Sequence, residues 1–134
     1  MILNVCCIVE GHGEVAAVPF LLRRIRDFVK PDLQINIQHP IRVPRHKVIK
    51  QGELERAIEL SIRQSKPPRI IFILLDADDD PPCIFGPKLL DRAYKARSDI
   101  MLGVVLANRE FESWFLSSLG SLQGFVVWPK ICRL

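Results

Sequence analysis

The chain has no GxxxxGK(S/T) loop and no complete GxGxxG, so neither a P-loop nucleotide hydrolase nor a dinucleotide enzyme is supported. Its four cysteines, Cys6, Cys7, Cys83 and Cys132, form no CxxC pair. The adjacent first two would point to opposite faces of a strand, and no zinc site is expected. They read as reduced, mostly buried thiols of an intracellular protein. Long apolar runs are missing as well. The opening run from Met1 to Val9 is broken by Glu10 and carries no basic leader or small-residue cleavage site, and no other uncharged run approaches bilayer length. A cytosolic protein with no membrane partner is expected. No Gly/Ser linker or internal repeat divides the sequence, so residues 1–134 are read as one domain.

What is present suits a folded core. With 134 residues, 49% hydrophobic and 25% charged, folding buries roughly two-thirds of the unfolded chain's surface, enough for one core without disulfide or metal staples. The net charge of +4 permits contact with phosphate polyanions but is too modest to predict it.

Leu3 to Val9 and Ile70 to Leu75 are short, almost wholly apolar runs, as expected of strands buried on both faces. Leu33, Ile35 and Ile37 alternate with polar residues and indicate a half-buried, peripheral strand, and a fourth strand is expected from about Ile100 to Leu106. Helical periodicity links them. One stripe runs through Val15, Val18, Leu22, Ile25 and Val29, and another through Leu54, Ala57, Ile58, Ser61 and Ile62. Shorter helices are expected over Pro87 to Arg97 and about Arg109 to Leu119, while the basic stretch from Pro40 to Lys50 reads as a loop. Gly124 to Leu134 is left unassigned. The strand–helix alternation implies an α/β fold, with a mainly parallel four-stranded sheet and helices on both faces.

In such a sheet the carboxyl ends of the strands share one edge, where ligand sites form. Glu10 ends the first strand, Asp76 and Asp78 end the third, and Glu110 and Glu112 follow the fourth, so acids far apart in sequence converge. Two carboxylates about 4 Å apart repel by about 4 kcal/mol at an effective dielectric near 20. A divalent cation relieves this most simply, and all-oxygen ligands favour magnesium or manganese over zinc. Each acid also has a plainer reading. Glu10 alone suits a solvated turn, Glu14 a helix start favoured by the dipole, and the run Asp76-Ala77-Asp78-Asp79-Asp80 an exposed loop or cap. Glu110 and Glu112 cannot share one helix face, and His12 suits a hydrogen bond within the Gly11–Gly13 turn.

An apolar strand ending in Val9-Glu10-Gly11, a helix opened by Glu14, and a later apolar strand ending in Asp76-Ala77-Asp78 together resemble the Toprim domain of topoisomerases, primases and OLD-family nucleases. The segment Asn108-Arg109-Glu110-Phe111-Glu112-Ser113-Trp114 resembles the acidic segment of small OLD-like Toprim proteins. The resemblance covers roughly Met1 to Leu119. It implies a Toprim-like, Rossmann-like sheet of order 2-1-3-4 and a Mg2+ (or Mn2+) cofactor. It implies further that Glu10 is the acid/base or metal-contacting glutamate, that Asp76 and Asp78 bind metal, that Glu14 is the second glutamate, and that Glu110 or Glu112 completes a second metal position. The candidate catalytic residues are therefore Glu10, Glu14, Asp76 and Asp78. The candidate metal ligands are those four with Asp80, Glu110 and Glu112.

The resulting expectation is a Mg2+-dependent phosphodiester-cleaving domain acting on DNA or RNA, with Arg42, Arg45, Lys47 and Lys50 placed to hold a phosphate backbone. OLD nucleases carry an ATPase module that this chain lacks, and their small relatives extend further. Full activity would then call on a partner such as an ATPase or on a continuation past Leu134; Lys130 and Arg133 are unplaced, and oligomerisation is left open. Two alternatives stand beside it. One is a catalytically weak nucleic-acid or protein-binding Toprim module of a phage-defence or toxin system. The other is a phosphatase or phosphotransferase built on the DxD, which does not account for Glu10 and Glu14.

Overall fold

A computed structural model of the chain describes residues 2–76, 82–107 and 125–128. The apolar run Leu3–Val9 forms β1, buried on both faces from Val5 onward. Glu10 and Gly11 break it, and α1 follows over His12–Val29, with Gly11 at its N-cap. The weakly alternating segment yields β2, Ile35–Ile37, whose residues are half-buried or exposed.

The stretch read as a loop contains two short elements, β3 over Ile41–Arg42 and α2 over Arg45–Val48. Four basic residues dominate its composition, yet Val43 and Val48 are buried and anchor it. Pieces this short carry no periodicity to detect. Next comes α3, Glu53–Gln64, entered through Gly52 at φ +99°, a left-handed conformation that favours glycine. The Gly52 N–H donates to Glu55 Oε2 at 2.6 Å, satisfying the turn.

The second apolar run extends slightly into β4, Arg69–Asp76. The helix after it, α4, spans Pro82–Ala96 and so begins upstream of Pro87. Pro87 is accommodated in the second turn, where it removes a single main-chain bond close to the helix start. β5 covers Met101–Ala107, and the unassigned apolar tail contributes β6, Phe125–Trp128. The helix expected over Arg109 to Leu119 lies outside the described residues.

The architecture is α/β with a mainly parallel sheet. Its order is β2-β1-β4-β5-β6, with β3 also pairing β1, so among the described residues six strands replace the expected four. β3 is a two-residue extension beside the end of β1, and β6 adds an antiparallel edge against β5. Both go beyond the apolar-run criterion, one by brevity and the other by lying in a stretch with no turn or period signal. β1, β4 and β5 run parallel with Val9 opposite Leu74 and Leu74 opposite Val105, so their carboxyl ends are level.

Alternation along β1 separates two cores. Cys6 and Ile8 join Ile71, Ile73, Leu102, Val104 and Leu106 under Leu54 and Ile58 of α3 and Leu89 and Ala93 of α4. Val5, Cys7 and Val9 join Leu74 beneath Val18 of α1. Helices therefore cover both faces. Burial pushes the Cys7 thiol up to about 12, with Cys6 adding to the effect, so Cys7 stays protonated and behaves as a core residue. Among the described residues, no helix is long and apolar enough to cross a membrane.

Candidate active site

The level strand ends bring two acids from distant sequence positions together. Glu10 follows β1 directly, and Asp76 is the last residue of β4. Glu10 Oε2 accepts a hydrogen bond from the Asp76 main-chain N–H at 3.1 Å. The carboxylate of the first strand thus reaches across to the end of its neighbour, 66 residues later in sequence.

Glu14 sits in the first turn of α1 and is only 5% exposed. No hydrogen bond or ion pair joins its carboxylate to another described residue. Gly11 makes room for it: a Cβ on Gly11 would overlap Glu14 Oε2 and lie 3.3 Å from its carboxyl carbon. The Glu14 side chain therefore folds back over the turn that follows β1, on the same edge as Glu10 and Asp76.

The basic segment borders this edge. The Val43 N–H donates to the Val9 carbonyl at 2.8 Å, and Arg42 pairs in register with Val9. Arg42, His46, Lys47 and Lys50 are exposed. Arg45 is half-buried and engaged: its Nη1 donates to the Asp76 carbonyl, and its guanidinium lies 5.0 Å from the centre of the Phe85 ring. Arg92 of α4 fastens α2 from behind, donating to the Val48 carbonyl at 2.7 Å and to Glu55 Oε1 at 2.9 Å.

Asp78, Asp80, Glu110 and Glu112 lie outside the described residues, as do Lys130 and Arg133. Among the described residues, no three His, Cys, Asp or Glu side chains form a group that could hold a metal ion. A surface pocket lined by Ile49, Gln51, Gly52, Glu55, Arg92, Lys95 and Ala96 includes none of the acids of this edge.

Sequence reasoning passed over the space at Gly11 and the tertiary roles of Arg45, Phe85 and Arg92. A glycine after a strand-ending glutamate is a usable signal for the first. The other three depend on contacts between segments 31 to 44 residues apart and leave no local trace. Comparison of the chain with protein-family models, with curated proteins and with solved structures returned no match.

Proposed function

We propose that this chain is a Toprim-like, Rossmann-like domain that cleaves phosphodiester bonds of DNA or RNA with Mg2+ or Mn2+ held at the carboxyl edge of its sheet. The observation that supports this is the hydrogen bond from the Asp76 main-chain N–H to Glu10 Oε2, which brings two acids of the sequence pattern to one edge of the sheet. The order β2-β1-β4-β5 of the parallel strands, with the Glu10 and Asp76 strands adjacent, agrees with the 2-1-3-4 order the Toprim resemblance implies.

In this reading Glu10, Glu14 and Asp76, together with Asp78, Asp80 and one of Glu110 and Glu112, hold the cation. When bound, it neutralises the converging carboxylates and supports in-line displacement at phosphorus. Glu10, anchored by the Asp76 amide, is positioned to accept and return a proton. The exposed Arg42, Lys47 and Lys50 line the neighbouring surface and take the phosphate backbone, which makes binding fall with salt. The domain then acts in the cytosol, with an ATPase as a candidate partner.

The direct test is titration calorimetry with Mn2+ and Mg2+, followed by incubation with supercoiled plasmid and with single-stranded RNA. Saturable metal binding and strand cleavage that EDTA abolishes are expected. Metal binding with both nucleic acids left intact would turn the assignment to the binding module. Cleavage of small phosphoesters alone would turn it to the DxD phosphatase class.

Gly11→Ala provides a second, narrower check. The Gly11 backbone is extended, at φ −114° and ψ 166°, which alanine adopts without strain. The atoms nearest the new methyl group are those at the flexible end of Glu14. The melting temperature is expected to stay close to wild type, while Mn2+ affinity falls about tenfold as the Glu14 carboxylate is displaced. Calorimetry on the variant reads both.

A further inference from the structure

We infer that Arg45 is a positioning residue for the acidic edge rather than one of the cations that contact phosphate; this rests on the metal-dependent reading above. Four basic residues of the segment appear equivalent in sequence, but the fold separates them. Arg42, Lys47 and Lys50 are exposed, whereas Arg45 turns inward to the end of β4.

The backbone of one residue, Asp76, is held on both of its sides. The Asp76 N–H is held by Glu10 from β1, and the Asp76 carbonyl is held by Arg45 from α2. The same guanidinium lies over the ring of Phe85 in the first turn of α4, so a single side chain ties the end of β4 to the start of the next helix. A planar guanidinium donates in its plane and stacks through its face at once, which a lysine ammonium cannot do.

The platform carrying Arg45 is itself anchored. The Val43 N–H bonds the Val9 carbonyl on one side of it, and Arg92 bonds the Val48 carbonyl on the other. Arg45 therefore sets where Asp76 stands relative to Glu10. Residues that orient metal-binding carboxylates in this way typically change metal affinity or activity about 10- to 100-fold when removed.

The test compares wild type, Arg45→Ala, Arg45→Lys and Arg42→Ala. Mn2+ affinity is read from the electron paramagnetic resonance signal of the free ion. Exchange of the Asp76 amide is followed by NMR on the metal-free proteins. Arg45→Ala is expected to weaken Mn2+ binding about 10- to 100-fold, to lower kcat and to speed Asp76 exchange, with Arg45→Lys recovering part of each. Arg42→Ala is expected to leave Mn2+ affinity and exchange unchanged while raising KM for nucleic acid.

A folded Arg45→Ala protein with wild-type Mn2+ affinity overturns the proposal. Should that variant fail to fold, Arg45→Lys decides on the same readout, and wild-type affinity there overturns it equally. A wild-type protein that takes up no Mn2+, although Asp76 exchange still responds to Arg45, overturns the metal reading and this role with it. In that case Arg45 remains a contact of the fold alone.

Discussion

Glu10→Gln is expected to lower metal-dependent strand cleavage by at least about 100-fold while the protein stays folded, the scale on which a positioned acid/base contributes. The substitution is close to isosteric. A glutamine carbonyl can still accept from the Asp76 N–H, which Glu10 Oε2 now receives at 3.1 Å, so the end of β4 need not move. What is lost is the negative charge and the ability to exchange a proton. Asp76→Ala removes a carboxylate but keeps the main-chain N–H and carbonyl that Glu10 and Arg45 use. Its expected result is loss of Mn2+ binding in calorimetry while the protein stays folded. Plasmid nicking with Mn2+ checks the pair: a Glu10→Gln protein that nicks at the wild-type rate removes Glu10 from the chemistry.

Ile73→Ala is expected to cost about 2 to 5 kcal/mol of stability. Ile73 lies on β4 between β1 and β5, is fully buried, and belongs to the larger core beneath α3 and α4. Hydrogen-bonded neighbours on both sides prevent the strand from collapsing into the space left behind, which places the site toward the upper part of that range. Against a typical total of about 5 to 15 kcal/mol, this would shift the urea midpoint strongly. Phe28→Ala is the matched control. Phe28 is 91% exposed on α1, and a change within about 0.5 kcal/mol is expected. Equal losses in the two variants would contradict the assignment of the core.

The strands that position the acids were legible because burial on both faces demands an uninterrupted apolar run, and Leu3–Val9 and Ile70–Leu75 have one. From two such runs joined by helical stripes, the parallel arrangement follows, and with it the meeting of Glu10 and Asp76 at one edge. Ile41, Val43 and Val48 were obscured because three apolar anchors among basic residues form no period. β6 lacked a signal because an antiparallel edge strand added from the tail is specified by its partner β5 rather than by its own pattern. The burial of Glu14 follows from the missing side chain at Gly11, and the inward turn of Arg45 follows from Phe85 and Asp76, both more than 30 residues away in sequence. The contributions of Asp78, Asp80, Glu110 and Glu112 lie outside the described residues.

Among the described residues, packing on the two faces of the sheet is unequal. Among the described residues, α1 alone covers the Val5, Cys7 and Val9 side, and its last turns leave Phe28 and Val29 open to solvent. The opposite side is clamped by two helices. If subglobal opening follows the less covered side, α1 would open before the sheet does. Glu14 travels with that helix, whereas Glu10 and Asp76 stay with the strands. A brief excursion of one helix would thus take the acidic edge apart and restore it without disturbing the rest of the molecule.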